Sequence, residues 1–68
     1  MKKEFYNIAN LVTKNAKVLD VGCGNGELMK YITENISKNI RGIELSKPNV
    51  QKCVEKGLTV IELSLIHI

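Results

Sequence analysis

The stretch of this chain best equipped for chemistry is Asp20-Val21-Gly22-Cys23-Gly24-Asn25-Gly26, an acidic residue followed by three glycines at alternate positions. Glycine permits backbone angles that other residues resist, and its missing side chain lets a ligand lie against the main chain. The run separates a β-branched apolar segment from a helical pattern. It therefore predicts a strand-to-helix turn ending at a helix N-terminus, where unpaired N–H groups and the positive end of the dipole favour a carboxylate or phosphate. A second acidic residue, Glu44, lies 18 residues after Gly26 and closes another apolar run. In open parallel sheets ligands sit outside the carboxyl ends of the strands, the position these two features share.

Spacing narrows the ligand. A dinucleotide loop of the form GxGxxG, counted from Gly22, requires glycine at position 27, and the residue there is Glu27. A phosphate-binding P-loop requires Lys followed by Ser or Thr after the last glycine, and Gly26-Glu27-Leu28 offers neither. Glu27 would also repel a bound pyrophosphate, a penalty that falls less on a nucleoside carrying only an amino-acid carboxylate. Cys23, inside the loop, has no histidine among its sequence neighbours and is not read as a nucleophile. With no CxxC pair and a single histidine, His67, no metal site is expected.

The elements that must hold this loop follow from periodicity. Phe5, Ile8, Ala9 and Val12 keep the rhythm of an amphipathic helix, and Lys17 to Val21 reads as a strand buried on both faces. Leu28, Met29, Ile32 and Ile36 fall on one face of a second helix, and Ile40 to Leu45 form a second strand. Ser46 caps a third helix, with Pro48 in its first turn, Val50, Cys53 and Val54 on its apolar stripe and Gly57 at its left-handed end. Leu58 to Ile61 begin a third strand. Alternating helix and strand predict an α/β fold with a parallel sheet, incomplete at about three strands and three helices.

Composition fits that picture. A chain of 68 residues buries only about 60% of the surface it exposes unfolded, so its core is marginal. The charge of +3 comes from scattered lysines without interleaved aromatics, which argues against nucleic acid as a partner. No apolar run approaches the roughly 18 residues of a membrane span. Two unpaired thiols and the lack of a signal-peptide pattern predict a cytoplasmic location.

The segment VLDVGCGNGEL resembles motif I of the class I S-adenosylmethionine (SAM) dependent methyltransferases, and GIELSKPNVQKCVEKGLTVIE is similar to the MetW family, which is associated with methionine biosynthesis. The likeness runs from about Phe5 to Glu62. It implies a Rossmann-like fold with SAM as cofactor, bound by Asp20, Gly22, Cys23, Gly24, Gly26 and Glu44. On that resemblance Gly22 and Gly24 pack against the methionine part, Asp20 helps hold its charged amino-acid end, and Glu44 accepts hydrogen bonds from both ribose hydroxyls. It implies either a methyltransferase or a non-catalytic accessory protein that partners homoserine O-acetyltransferase.

Residues 1–62 are accordingly expected to be the N-terminal part of a SAM-binding domain. With three strands its pocket is unclosed, and weak or undetectable SAM affinity follows for this chain. The last six residues, Leu63-Ser64-Leu65-Ile66-His67-Ile68, depart from the family pattern, which places an acidic step after the third strand. They match one reading frame of a transposon-derived sequencing adapter and are expected to be a non-native tail, so His67 carries no role.

Overall fold

The computed structural model describes residues 3–63. The tail from Ser64 onward, His67 included, lies outside the described residues. The element order is α1 (Lys3–Ala9), β1 (Val18–Val21), α2 (Glu27–Asn35), β2 (Ile40–Glu44), α3 (Lys47–Glu55) and β3 (Val60–Glu62). The three strands form one parallel sheet in the order β1-β2-β3. Val18 stands opposite Ile40 and Val21 opposite Ile43, while Gly42 pairs with Val60 and Glu44 with Glu62. This is the alternating α/β architecture that the periodicity predicts.

Helix α3 starts and stops where its sequence says. The Ser46 hydroxyl accepts from the Asn49 amide at 3.4 Å, and Pro48 occupies the first turn, where no N–H is needed. At the far end the amide of Gly57 donates to the Val54 carbonyl (2.9 Å) and that of Leu58 to the Cys53 carbonyl (3.0 Å). These two bonds make a Schellman cap, which needs the left-handed backbone that Gly57 adopts at φ +75°. Leu58 is thereby committed to the cap, and β3 begins two residues later than its apolar pattern suggests, at Val60.

The core lies between α2, α3 and one face of the sheet. Ala9, Cys23, Met29, Ile32, Ile40 and Cys53 are its buried members, with Val18, Leu28, Leu58 and Val60 packed against them. Gly42, in the middle of β2, is what lets the layers approach. A Cβ on it would stand 2.6 Å from the Met29 sulfur and 2.7 Å from the Cys23 sulfur. The opposite face of the sheet exposes Leu19, Val21, Arg41 and Ile61. Helix α1 packs only lightly, chiefly on α2, where Tyr6 meets Tyr31 edge to face at 5.2 Å between ring centres. Of its expected stripe, Ala9 is buried but Ile8 stays half-exposed. The turn between α2 and β2 is tied down by Ser37, which is buried and donates its hydroxyl to the Ala16 carbonyl at 2.5 Å.

Gly42→Ala should destabilise the chain by about 1–3 kcal/mol, because two buried sulfurs must move to admit one methyl group. Chemical denaturation checks this, and an unchanged midpoint would mean that Met29 repacks without cost.

Candidate functional site

The loop Gly22–Gly26 leaves β1, crosses the C-terminal end of β2 and enters α2. Its first two amides, Gly22 and Cys23, both donate to the Ile43 carbonyl at 2.7 and 3.2 Å, so the β1-β2 ladder runs on into the turn. The Gly24 amide donates to Oε1 of Glu44 at 2.8 Å, and the Ser46 amide donates to Oε2 of the same carboxylate at 2.9 Å. Glu44 thus joins the glycine loop to the start of α3. Downstream, Gly26 donates to the Cys23 carbonyl (3.1 Å) and Glu27 to the Asn25 side-chain oxygen (3.1 Å), while Nζ of Lys56 donates to the Asn25 carbonyl (2.6 Å).

These bonds alter the chemistry that the sequence suggests for the loop. The N–H groups of Gly22, Cys23, Gly24, Gly26 and Glu27 are already spent inside the protein. The loop is therefore poorer in free donors than a phosphate cradle, which works by aiming its amides at the anion. What it gathers instead is acceptors. Asp20, at the end of β1, and Glu27, at the start of α2, share a hollow of about 300 Å³ with Gly22, Cys23, Gly24, Asn25, Ile8 and Leu28. On the other side of Gly22 a smaller hollow of about 160 Å³ is lined by Glu44 and the apolar side chains Val21, Ile43, Leu45 and Leu63.

The three glycines have different duties. Gly22 and Gly24 hold left-handed backbones, φ +72° and +58°, and a Cβ on either would meet no protein atom within 4 Å. They present bare main chain to open space. Gly26, at φ +84°, faces inward, where a Cβ would stand 2.6 Å from Leu58 and 2.9 Å from the Cys53 sulfur. It serves packing under α3. Cys23 also turns inward, 8% exposed, with its sulfur 3.9 Å from that of Cys53.

The charges respond to these surroundings. Hydrogen bonds from the amides of Ser46 and Gly24 hold the Glu44 carboxyl below its usual range. Burial pushes the Asp20 carboxyl up, so an incoming cation there would relieve a desolvated charge. Burial, followed by the neighbouring Cys53 thiol, pushes the Cys23 thiol up to about 12, which leaves little of it as thiolate at neutral pH. Sequence reasoning singles out Asp20, Gly22, Cys23, Gly24, Gly26 and Glu44; of these the structure turns Cys23 and Gly26 inward and gathers the others at the C-terminal ends of β1 and β2. That reasoning misses Lys56 as a tether of the loop, a contact across 31 positions, and Ser46 as a clamp on Glu44 two residues away, because that bond uses a main-chain amide that no side-chain type signals.

Residues 2–66 match the family described as methionine biosynthesis protein MetW. Among curated proteins the chain is 28% identical over 69 residues to the bifunctional methionine biosynthesis protein MetXA/MetW of Rhodopirellula baltica, covering 90% of this chain and 11% of that protein. Among solved structures it is similar to Streptococcus pneumoniae Sp1610, a candidate tRNA (m1A22) methyltransferase, with a TM-score of 0.78 and 22% identity over 94% of this chain and 32% of that one. It is also similar to Streptomyces venezuelae DesVI, with a TM-score of 0.73 and 25% identity over 90% of this chain and 28% of that one. The chain spans about a tenth of the curated relative and less than a third of either structure. The fold is that of the Rossmann-like methyltransferases.

The two carboxylates should mark the pH profile with opposite signs. Glu44, lowered from 4.5, contributes stability that is complete above that value and is lost as the pH falls through its folded pKa. Asp20, raised from 3.8, contributes stability that is complete below that value and is lost as the pH rises through its folded pKa. Thermal melts should therefore show Asp20→Asn more stable than the parent chain at neutral pH. The Gly24 and Ser46 amide resonances should titrate together below pH 4.5. Independent titration of those two amides would contradict the shared carboxylate.

Proposed function

The chain belongs to the MetW family of methionine biosynthesis proteins, and from that membership together with the acceptor-rich loop we propose that it forms the SAM-binding part of a methyltransferase-like protein. The observation that carries the reading is the pairing of spent amides with convergent carboxylates. SAM offers an ammonium, a sulfonium and a ribose diol, each a cation or a hydrogen-bond donor, beside a single carboxylate. A pyrophosphate offers only negative charge.

The residues present fit the cofactor part by part. Asp20 and its hollow suit the ammonium of the methionine moiety, which restores to Asp20 the favourable charge environment that burial removes. Gly22 and Gly24 leave room for the ligand to lie on the main chain. Glu44 takes the amides of Gly24 and Ser46 on its two oxygens, with the Leu45 amide and the Asn49 side chain as further neighbours, and a cis-diol would add its donors to the same carboxylate. Val21, Ile43 and Leu45 offer an apolar bed for a purine beside Glu44. When bound, SAM supplies a methyl group activated by the sulfonium. The chain's own contribution is to bind and orient it, with Glu44 and Ser46 fixing the loop beforehand so that little ordering remains to be done on binding.

A second reading is favoured by the relative in which MetXA and MetW form one bifunctional protein. On that reading the chain belongs to an accessory protein of homoserine O-acetyltransferase, with SAM as a ligand. The two readings share the SAM site and differ in whether a methyl group leaves it. Co-purification of a full-length member with the acyltransferase, without methyl transfer to any acceptor, favours the accessory role. Methyl transfer without association favours the enzyme.

Titrating SAM into the isotope-labelled chain should shift the amides of Gly22, Gly24 and Ser46, whereas NAD should leave them in place. Glu44→Gln should weaken SAM binding by roughly 10- to 100-fold, the worth of a charged hydrogen-bonding pair. Asp20→Asn should weaken it while raising the melting temperature. Absence of SAM-dependent shifts at millimolar ligand in a full-length member, or tighter binding of NAD than of SAM, would overturn the proposal.

A further inference from the structure

Two cysteines thirty positions apart meet beneath the glycine loop, and the conditions for their meeting are specific. Cys23 lies in the loop and Cys53 on the buried stripe of α3, with their sulfurs 3.9 Å apart. Each occupies space that a missing side chain provides: the Cys23 sulfur sits 2.7 Å from where a Cβ on Gly42 would be, and the Cys53 sulfur 2.9 Å from where one on Gly26 would be. Met29 closes the pocket from α2 and is fully buried. Both thiols are free.

We infer that Cys23 and Cys53 form a redox-reactive pair that closes to an intramolecular disulfide under a peroxide, coupling oxidation to the shape of the glycine loop. A disulfide needs the sulfurs about 2 Å apart, so the pair must close by roughly 2 Å. That movement lies within reach of side-chain rotation and a small shift of the loop. The Cys23 thiolate attacks one peroxide oxygen, the O–O bond breaks and hydroxide leaves, taking up the thiol proton as water. The Cys53 sulfur then attacks the sulfenic sulfur, the S–O bond breaks, and a second water carries off the remaining proton. Two thiols and one peroxide become one disulfide and two waters.

Two features decide how this reaction behaves. The Cys23 sulfur faces Cys53 of α3, with Asp20 of β1 and Glu44 of β2 nearby, and these together with burial keep it protonated. Thiolate is therefore scarce while the loop is closed, and attack proceeds through local opening or at alkaline pH. Bridging also removes the Cys53 thiol from the Gly24 carbonyl, to which it donates at 3.3 Å. Gly24 is the residue whose amide holds Glu44. Oxidation therefore reaches the carboxylate through one residue.

The test is to expose the folded chain to hydrogen peroxide at pH 7 and pH 9, alkylate it, and weigh it. A loss of about 2 Da, no alkylation, faster reaction at pH 9, a crosslinked peptide joining Cys23 to Cys53 and full recovery with dithiothreitol are expected. Cys53→Ala should show no such loss; Cys53→Ser, which retains a donor for the Gly24 carbonyl, serves the same purpose if alanine impairs folding. Two alkylated thiols after exposure that fully oxidises a small dithiol, stable gain of oxygen at either sulfur, or disulfide-linked dimers in place of the internal bridge would each overturn the inference. The oxidised chain should bind SAM at least tenfold more weakly than the reduced one. That arm rests on the SAM reading above and is separate from the mass result, which decides the disulfide whether or not the reduced chain binds SAM.

Discussion

The Glu44 carboxylate, shared between the amides of Gly24 and Ser46, is the interaction on which the site depends. It stands at the end of β2, the central strand of the three. One oxygen fixes the loop arriving from β1 and the other fixes the first turn of α3, so a single side chain sets the relation between three elements. A hydrogen bond from a neutral donor to an ionised acceptor is stronger than one between neutral groups. Here two such bonds also keep the acceptor ionised. The residue that would read a ligand is also the one that shapes the ground on which the ligand lies.

This double duty explains why the loop is an acceptor surface. A glycine loop at a helix N-terminus has two options: to leave its amides open for an anion, or to satisfy them internally and offer carboxylates and bare carbonyls. The chain takes the second course through the Ile43 carbonyl, Glu44 and the Asn25 side chain. The outcome separates it chemically from dinucleotide and P-loop sites that share the same strand-turn-helix frame.

Much of this was legible from local pattern. The alternating glycines, the acid at the end of the second strand, Ser46 before Pro48 and Gly57 after the third helix each act within a few residues of their own position, where turn and cap chemistry has a fixed vocabulary. What escaped acts at distance. Nothing local shows that Gly26 packs under Leu58, that Ser37 reaches back to Ala16, or that Lys56 holds Asn25. Leu58 reads as strand because it is apolar, and is spent on a cap because Gly57 precedes it. Helix α1 has the period of a buried helix, yet its contacts are chiefly with α2, so the stripe is only partly covered.

Gly42 carries a consequence for how such a sequence can change. Its missing side chain is filled by Met29 and Cys23, and Cys23 in turn rests on Cys53, which fills the gap at Gly26 beside Leu58. These six positions therefore form one interlocked volume drawn from the loop, two helices, a strand and the cap of α3. A larger residue at any of them demands a smaller one at a neighbour, so related chains should exchange these residues in compensating pairs, while Leu19 and Val21 on the exposed face of the sheet are free to drift singly with respect to that volume.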